Sequence, residues 1–211
     1  MMFKNFVRIA LRNFQRHKTY MIINITGLTI SLVCSIIIFL FVRDEYSYDK
    51  FNENYNHIYR IYLNGKMGDA ELSGAWTPAP AARVLKEELA EVEDAVVLDH
   101  WGEVVVKINS KTYVEKEFML ASKSFFNIFS IEMVQGDPDN ALETAHSVVL
   151  TEQKAKQYFG SENPIGKSLR INSDTTRFMV TGVCKSPPQN SHFTFNLLGS
   201  FKTHPRSTSD Y

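Results

Sequence analysis

The chain has 211 residues, 23 Lys+Arg against 23 Asp+Glu, and 44% hydrophobic residues of which aromatics make a large part, so a mostly disordered chain is excluded. The zero net charge is unevenly distributed. Residues 1–19 hold five bases (Lys4, Arg8, Arg12, Arg16, Lys18) and no acid, which gives +5 there and −5 over residues 20–211. Because the basic cluster abuts an uncharged stretch, a simple nucleic-acid binder is excluded as well.

Residues 1–19 read as a cytoplasmic leader. Phe3, Phe6, Val7, Ala10, Leu11 and Phe14 recur at helical spacing, and Lys4, Arg8, Arg12 and Arg16 form a second, basic stripe. Such an amphipathic helix suits an anionic membrane surface, and the same cations also serve as a plain topogenic flank; both readings stand.

Residues 20–42 are 23 consecutive uncharged residues. As a helix they rise about 34 Å, enough to cross a hydrocarbon core of about 30 Å. A signal peptide has a shorter apolar region and a small-residue cleavage site, whereas this run ends in PheLeuPheVal. An uncleaved transmembrane helix is predicted. Bases upstream and Asp44, Glu45, Asp49 and Glu53 downstream place the amino terminus inside. Asn24, Gly27, Ser31 and Ser35 share one face of the span. Small residues at that spacing admit a neighbouring helix, although a single-pass anchor also tolerates them.

Residues 43–211 read as one extracytoplasmic α+β domain. Tyr48, Phe51, Tyr55, Ile58 and Tyr59 keep helical spacing, and residues 58–63 then read as a strand. Pro78 and Pro80 precede a helix carrying Ala82, Leu85, Leu89 and Val92. Strands are predicted at 95–98, 103–108 and 112–120, with a turn at 109–111, a short helix over 122–129 and a strand at 131–136. A short strand at 147–150 leads into a helix capped by Thr151 and Gly160. Two more strands, at 168–171 and 177–183, precede a loop opened by ProProGlnAsn.

Residues with catalytic chemistry do not form a constellation in this sequence. Cys34 falls in the span and Cys184 in a strand, so neither a disulfide nor a thiolate metal site is offered. The six histidines have no metal-ligand spacing. AsnProIleGlyLysSer lacks the first glycine of a phosphate loop and reads as a turn into the strand at Leu169. Ser191 and His192 adjoin without a nucleophile elbow. Neither an enzyme nor a cofactor is predicted.

Residues 8–28 resemble the lead-in and first transmembrane helix of FtsX-like ABC-transporter permeases, especially those of Bacteroidetes-type bacteria, and residues 44–60 resemble their post-membrane segment. SerValValLeuThrGluGlnLysAlaLysGlnTyrPheGlySerGluAsnProIleGlyLysSerLeuArgIle, followed by PheMetValThrGlyValCysLysSerProProGlnAsnSerHisPhe, is similar to the MacB-like periplasmic core domain. The resemblance implies a permease subunit in a bacterial inner membrane, with a separate ATPase as partner and an output of export, such as efflux, or mechanical work in the periplasm. The lipid bilayer and further permease helices, or a second permease copy, are the other implied partners. It also leads us to expect a fragment or truncated form, its domain incomplete at the C-terminal end, because three later membrane helices are missing. A single-pass anchored interaction or signalling module is the alternative.

Overall fold

The computed structural model describes residues 4–5, 8–9, 12, 16–68, 70–78, 80–172, 176–205 and 207. They fall into two units, residues 1–48 and 49–211. The first is dominated by helix α1 (Lys18–Glu45), which outruns the apolar stretch by two residues at its start and three at its end.

After α1, residues 46–54 form turns rather than the helix that the aromatic spacing predicts, and only Tyr55–His57 make a 3-10 turn. The segment is rich in Asn and Asp, whose short side chains compete for backbone groups. Asp49 adopts φ 55, and the Asn52 amide donates to the Asp49 carbonyl at 3.0 Å. Phe51 and Ile58 nevertheless pack against the core, so the spacing reports burial and not helix. The predicted strand at 58–63 is displaced: β1 spans Leu63–Met67 and pairs with β2, Ala70–Gly74, in a separate two-stranded sheet. Helix α2 (Ala81–Glu88) stops short of Val92, since Leu89 is extended at φ −111, ψ 111. Glu87, Glu88, Glu91 and Glu93 crowd that end, where the helix dipole disfavours negative charge.

The remaining strands build one mixed sheet. β3 (Leu98–Ile108) and β4 (Lys111–Ala121) form a long hairpin; β5 (Met133–Gly136), β6 (Ser147–Thr151), β7 (Ser168–Ile171), β8 (Arg177–Cys184) and β9 (Leu197–Ser200) complete it. Helices α3 (Phe125–Ile128) and α4 (Glu152–Phe159) lie in the connections. The order is β5-β8-β6-β9-β4-β3-β7, and β7 pairs again with β8. The sheet therefore closes through six strands, with β5 added beside the far end of β8. β6–β8 and β4–β9 are parallel; the other pairs are antiparallel.

Closure creates an inside. Alternating residues Val104, Val106, Ile108, Phe118, Leu120, Val148, Leu150, Leu169, Ile171, Phe178, Val180 and Leu197 fill it, and Ala155 and Tyr158 of α4 pack on the same cluster. Gly199 makes this packing possible: a Cβ there would sit 2.8 Å from Leu120 Cδ2 and 3.0 Å from Phe118 Cζ. A second cluster covers the opposite face, where Met119, Ala121, Val149 and Leu198 meet Phe125, Phe129, Leu142 and Phe195. Cys184 belongs to it, and burial, helped by the nearby Glu152 charge, pushes its thiol up to about 12.

The strand predicted at 95–98 does not form and β3 starts five residues before the one predicted at 103–108, whereas from β4 onward most predicted elements recur within a residue or two. The helix after Thr151 does so with one difference: Thr151 is the N-cap residue, but its buried hydroxyl makes no cap bond and has no partner among the described residues. Gly160 closes the helix as expected, at φ 66, its N–H donating to the Lys156 carbonyl at 2.9 Å.

Asp94 ties α2 to the N-cap of α3. Its Oδ1 accepts from Lys86 Nζ at 2.7 Å, Ala95 N at 2.9 Å and Ser124 Oγ at 2.9 Å. Partial burial raises its pKa, but these donors outweigh it and hold the carboxyl below the ordinary value. Since the folded pKa lies below the unfolded one, the ionised group stabilises the fold above the ordinary carboxylate range, and that contribution fades as pH falls through the folded pKa. Asp94→Asn should therefore be less stable than wild type at pH 7, with the gap narrowing below about pH 4. Thermal melts of both chains across that range test this; a constant gap would refute it.

Candidate functional site

Three sets of residues combine chemistry with position: the leader and α1, the segment that follows α1, and a buried ion pair. Lys4, Arg8, Arg12 and Arg16 are helical and exposed, and their four-residue spacing puts them on one face. The apolar stripe predicted beside them lies outside the described residues. No residue of α1 is buried, and it is the one helix among the described residues long and apolar enough to cross a membrane. Ile22, Leu28, Ile37, Phe39 and Phe41 are all exposed on it. A helix apolar on all sides belongs in hydrocarbon or against other apolar helices.

On α1, Asn24, Gly27, Ser31 and Ser35 follow each other up one side. Ser31 Oγ donates to the Gly27 carbonyl at 2.9 Å and Ser35 Oγ to the Ser31 carbonyl at 2.8 Å. Both hydroxyls are thereby satisfied within the helix, as an apolar medium requires. The space beside Gly27 is open, and the Asn24 amide has no hydrogen-bond partner among the described residues.

Four residues after α1, the chain is pinned into the second unit. Asp49 N–H donates to the Asn190 carbonyl at 2.9 Å. The Asp49 carboxylate accepts from His192 N at 3.1 Å and lies 2.7 Å from His192 Nδ1. Asn52, 2% exposed, accepts from Ser130 N at 3.0 Å, while Glu53 N–H donates to Ser130 Oγ at 2.9 Å. The segment after α1 is thus clamped both to the loop after β8 and to the end of α3. Sequence reasoning treats Asp49 as a topogenic acid and His192 as a lone histidine. The available signal is that the two stand inside the two family-like segments, residues 44–60 and 178–193, which fold together here.

The third set surrounds Glu115 on β4. It is 2% exposed, yet accepts from Lys154 Nζ at 2.7 and 2.9 Å, Tyr158 OH at 2.6 Å and Asn196 Nδ2 at 3.3 Å. Burial, then the bond to Glu115 and its charge, raise the Tyr158 pKa far above its usual value. Tyr158 therefore stays a neutral donor. Lys154 and Tyr158 lie one turn apart on α4, so Glu115 fastens that helix to the sheet, and Asn196 draws in the start of β9. Its burial follows from a bulge. Gly102 opposes Phe118 while Val104 opposes Glu115, which sets two residues of β3 against three of β4. The extra residue reverses the alternation and turns Glu115 to the side of Phe118 and Leu120.

No group of three or more metal-ligating side chains occurs among the described residues. The chemistry these sets offer is attachment and rigidity.

The family model of the MacB-like periplasmic core domain matches residues 21–210. This chain belongs to that family. A solved domain of a Porphyromonas gingivalis protein assigned as a permease superposes with a TM-score of 0.59 at 26% identity, over 68% of this chain. This chain spans 62% of that one. The periplasmic region of MacB from Actinobacillus actinomycetemcomitans gives a TM-score of 0.48 at 19% identity, over 72% of this chain and 70% of that one. The extracellular domain of YknZ, a noncanonic ABC-type transporter of Gram-positive bacteria, gives 0.45 at 15%, over 60% and 65%. No curated protein matches the chain. As a MacB-like core domain joined to an apolar helix, it carries its clamp and its Glu115 network inside the region that the family model covers.

Proposed function

We propose that this chain acts as the N-terminal part of an ABC-transporter permease subunit, non-catalytic itself, which links a separate ATPase to export or mechanical work in the periplasm. The leader lies at the cytoplasmic face of a bacterial inner membrane, α1 crosses it, and the MacB-like domain stands in the periplasm. Lys4, Arg8, Arg12 and Arg16 rest on the inner leaflet, and Asn24, Gly27, Ser31 and Ser35 meet further permease helices or a second permease copy. The observation that carries this reading is the clamp. A helix that only anchors a domain needs no more than a flexible tether, whereas Asp49, Asn52, Ser130, Asn190 and His192 fix the chain within four residues of the helix end. Only residues 46–48 separate the end of α1 from the first clamped residue, so little chain is left there to act as a flexible linker.

The topology is tested with spheroplasts of cells producing the full chain. Added protease should remove the domain and spare a leader epitope; a protected domain would reverse the assignment. The coupling is tested by co-purifying the ATPase with the complete permease and comparing wild type with Asp49→Ala. The variant should keep ATPase association and lose most of the transport-linked work. Undiminished work would leave the clamp without a coupling role.

A further inference from the structure

The outer face of the closed sheet carries a row of cations that register sets side by side. The pleat sends Val106, Ile108, Leu169, Ile171, Phe178 and Val180 inward, so Lys107, Arg170 and Arg177 point the other way. Register sets them side by side: Lys107 pairs with Arg170 across β3–β7, and Arg170 with Arg177 across β7–β8. With strands about 4.8 Å apart, the three cations form one row about 10 Å long.

Like charges directly opposite each other destabilise a sheet. Many cations elsewhere in the domain sit beside a carboxylate, as in Arg83–Glu87, Lys86–Asp94, Lys185–Glu132 and the Lys123–Glu143–Lys202 triplet. Arg170 and Arg177 have no carboxylate partner among the described residues. The row also inverts the local sign, because residues 49–211 hold 17 bases against 21 acids. Apolar side chains flank it on the same face. Val105 and Val114 pair across β3–β4 at 37% and 58% exposure, and Met179 is 56% exposed on the other side.

We propose that this face docks an extended, acidic segment of a partner protein. Two adjacent guanidinium forks match carboxylates bidentately. An extended chain turns every second side chain to one side about 6.6–7 Å apart, which lets acids reach the arginine row while apolar residues cover Val114 and Met179. Anionic lipid is the poorer fit, since basic lipid-binding patches gather about 4–8 cations and this row has three.

The test uses the full chain in nanodiscs of zwitterionic lipid and a fluorescein-labelled decapeptide of alternating Glu and Val. Anisotropy should report binding that weakens with added salt and falls at least about tenfold in Arg170→Gln/Arg177→Gln. Lys123→Gln/Lys185→Gln, whose cations sit elsewhere, should bind as wild type. The arginine variant should melt no lower than wild type, because it relieves repulsion. No peptide binding, equal binding by the arginine variant, or a lowered Tm would overturn the proposal. So would arginine-dependent flotation with phosphatidylglycerol vesicles, or arginine-dependent self-association without peptide, which assign the face to lipid or to a second copy.

Discussion

Glu115→Ala should destabilise the MacB-like domain by about 3–5 kcal/mol, because it leaves a desolvated cation without its partner. Lys154 is 14% exposed and has the Glu115 carboxylate within 2.9 Å at both oxygens. Tyr158 OH loses its acceptor at the same time, and Asn196 loses a bond that helps to place β9. At about 2–4 °C per kcal/mol for a domain of this size, the melting temperature should fall by roughly 6–20 °C. Lys154→Ala should be comparably harmful, since it leaves a buried carboxylate. The double replacement Glu115→Leu/Lys154→Met should recover most of the loss, as buried ion pairs replaced by apolar residues of similar volume are often neutral. A double-mutant cycle by urea-dependent pulse proteolysis of the full chain reads both effects. Additive single and double effects would show that Glu115 and Lys154 do not act as a pair.

Phe125→Ala should have a loss of similar size, about 3–5 kcal/mol, from a different cause. Phe125 is 0% exposed, and its ring centroid lies 5.0 Å from Phe126, 5.2 Å from Phe129, 5.6 Å from Phe193 and 5.7 Å from Phe195. Truncation opens a cavity that four aromatic neighbours on α3 and the loop before β9 cannot all close at once. The loop is the one that His192 secures to Asp49, so the damage should spread to the clamp. Proteolysis near residue 190 should accelerate in the variant under native conditions more than cleavage near residue 110. Phe125→Leu, which keeps most of the volume, should cost less than half as much. Equal cleavage rates at the two places would confine the role of Phe125 to the core.

The two halves of the chain were not equally legible. The long apolar helix and the strands at 168–171 and 177–183 can be read locally, because a run without charge or an alternation of two needs no distant partner to be recognised. The segment after α1 reads as a helix and folds as turns, since its aromatic spacing records which residues reach the core while Asp49 and Asn52 decide the backbone. β9 carries no signal of its own in LeuLeuGlySer, yet it sits between β4 and β6. Its conformation depends on strands that arrive from far along the chain.

Glu115 marks the boundary between the two kinds of information. In ThrTyrValGluLysGluPheMetLeu it stands three residues before Phe118, and an unbroken strand would turn it to the face opposite Phe118. The register step against Gly102 reverses that, and only pairing with β3 imposes the step. By itself the sequence determined that this chain has a basic leader, an apolar helix and an α+β domain like the MacB core, because hydropathy and charge act over a few neighbouring residues. Closure of the sheet through β7, the Asp49–His192 clamp and the cation row from Lys107 to Arg177 were decided by tertiary structure alone. Each of these joins residues separated by 63 or more positions, or aligns them by register, and the free energy that selects such contacts exists only once the sheet has formed.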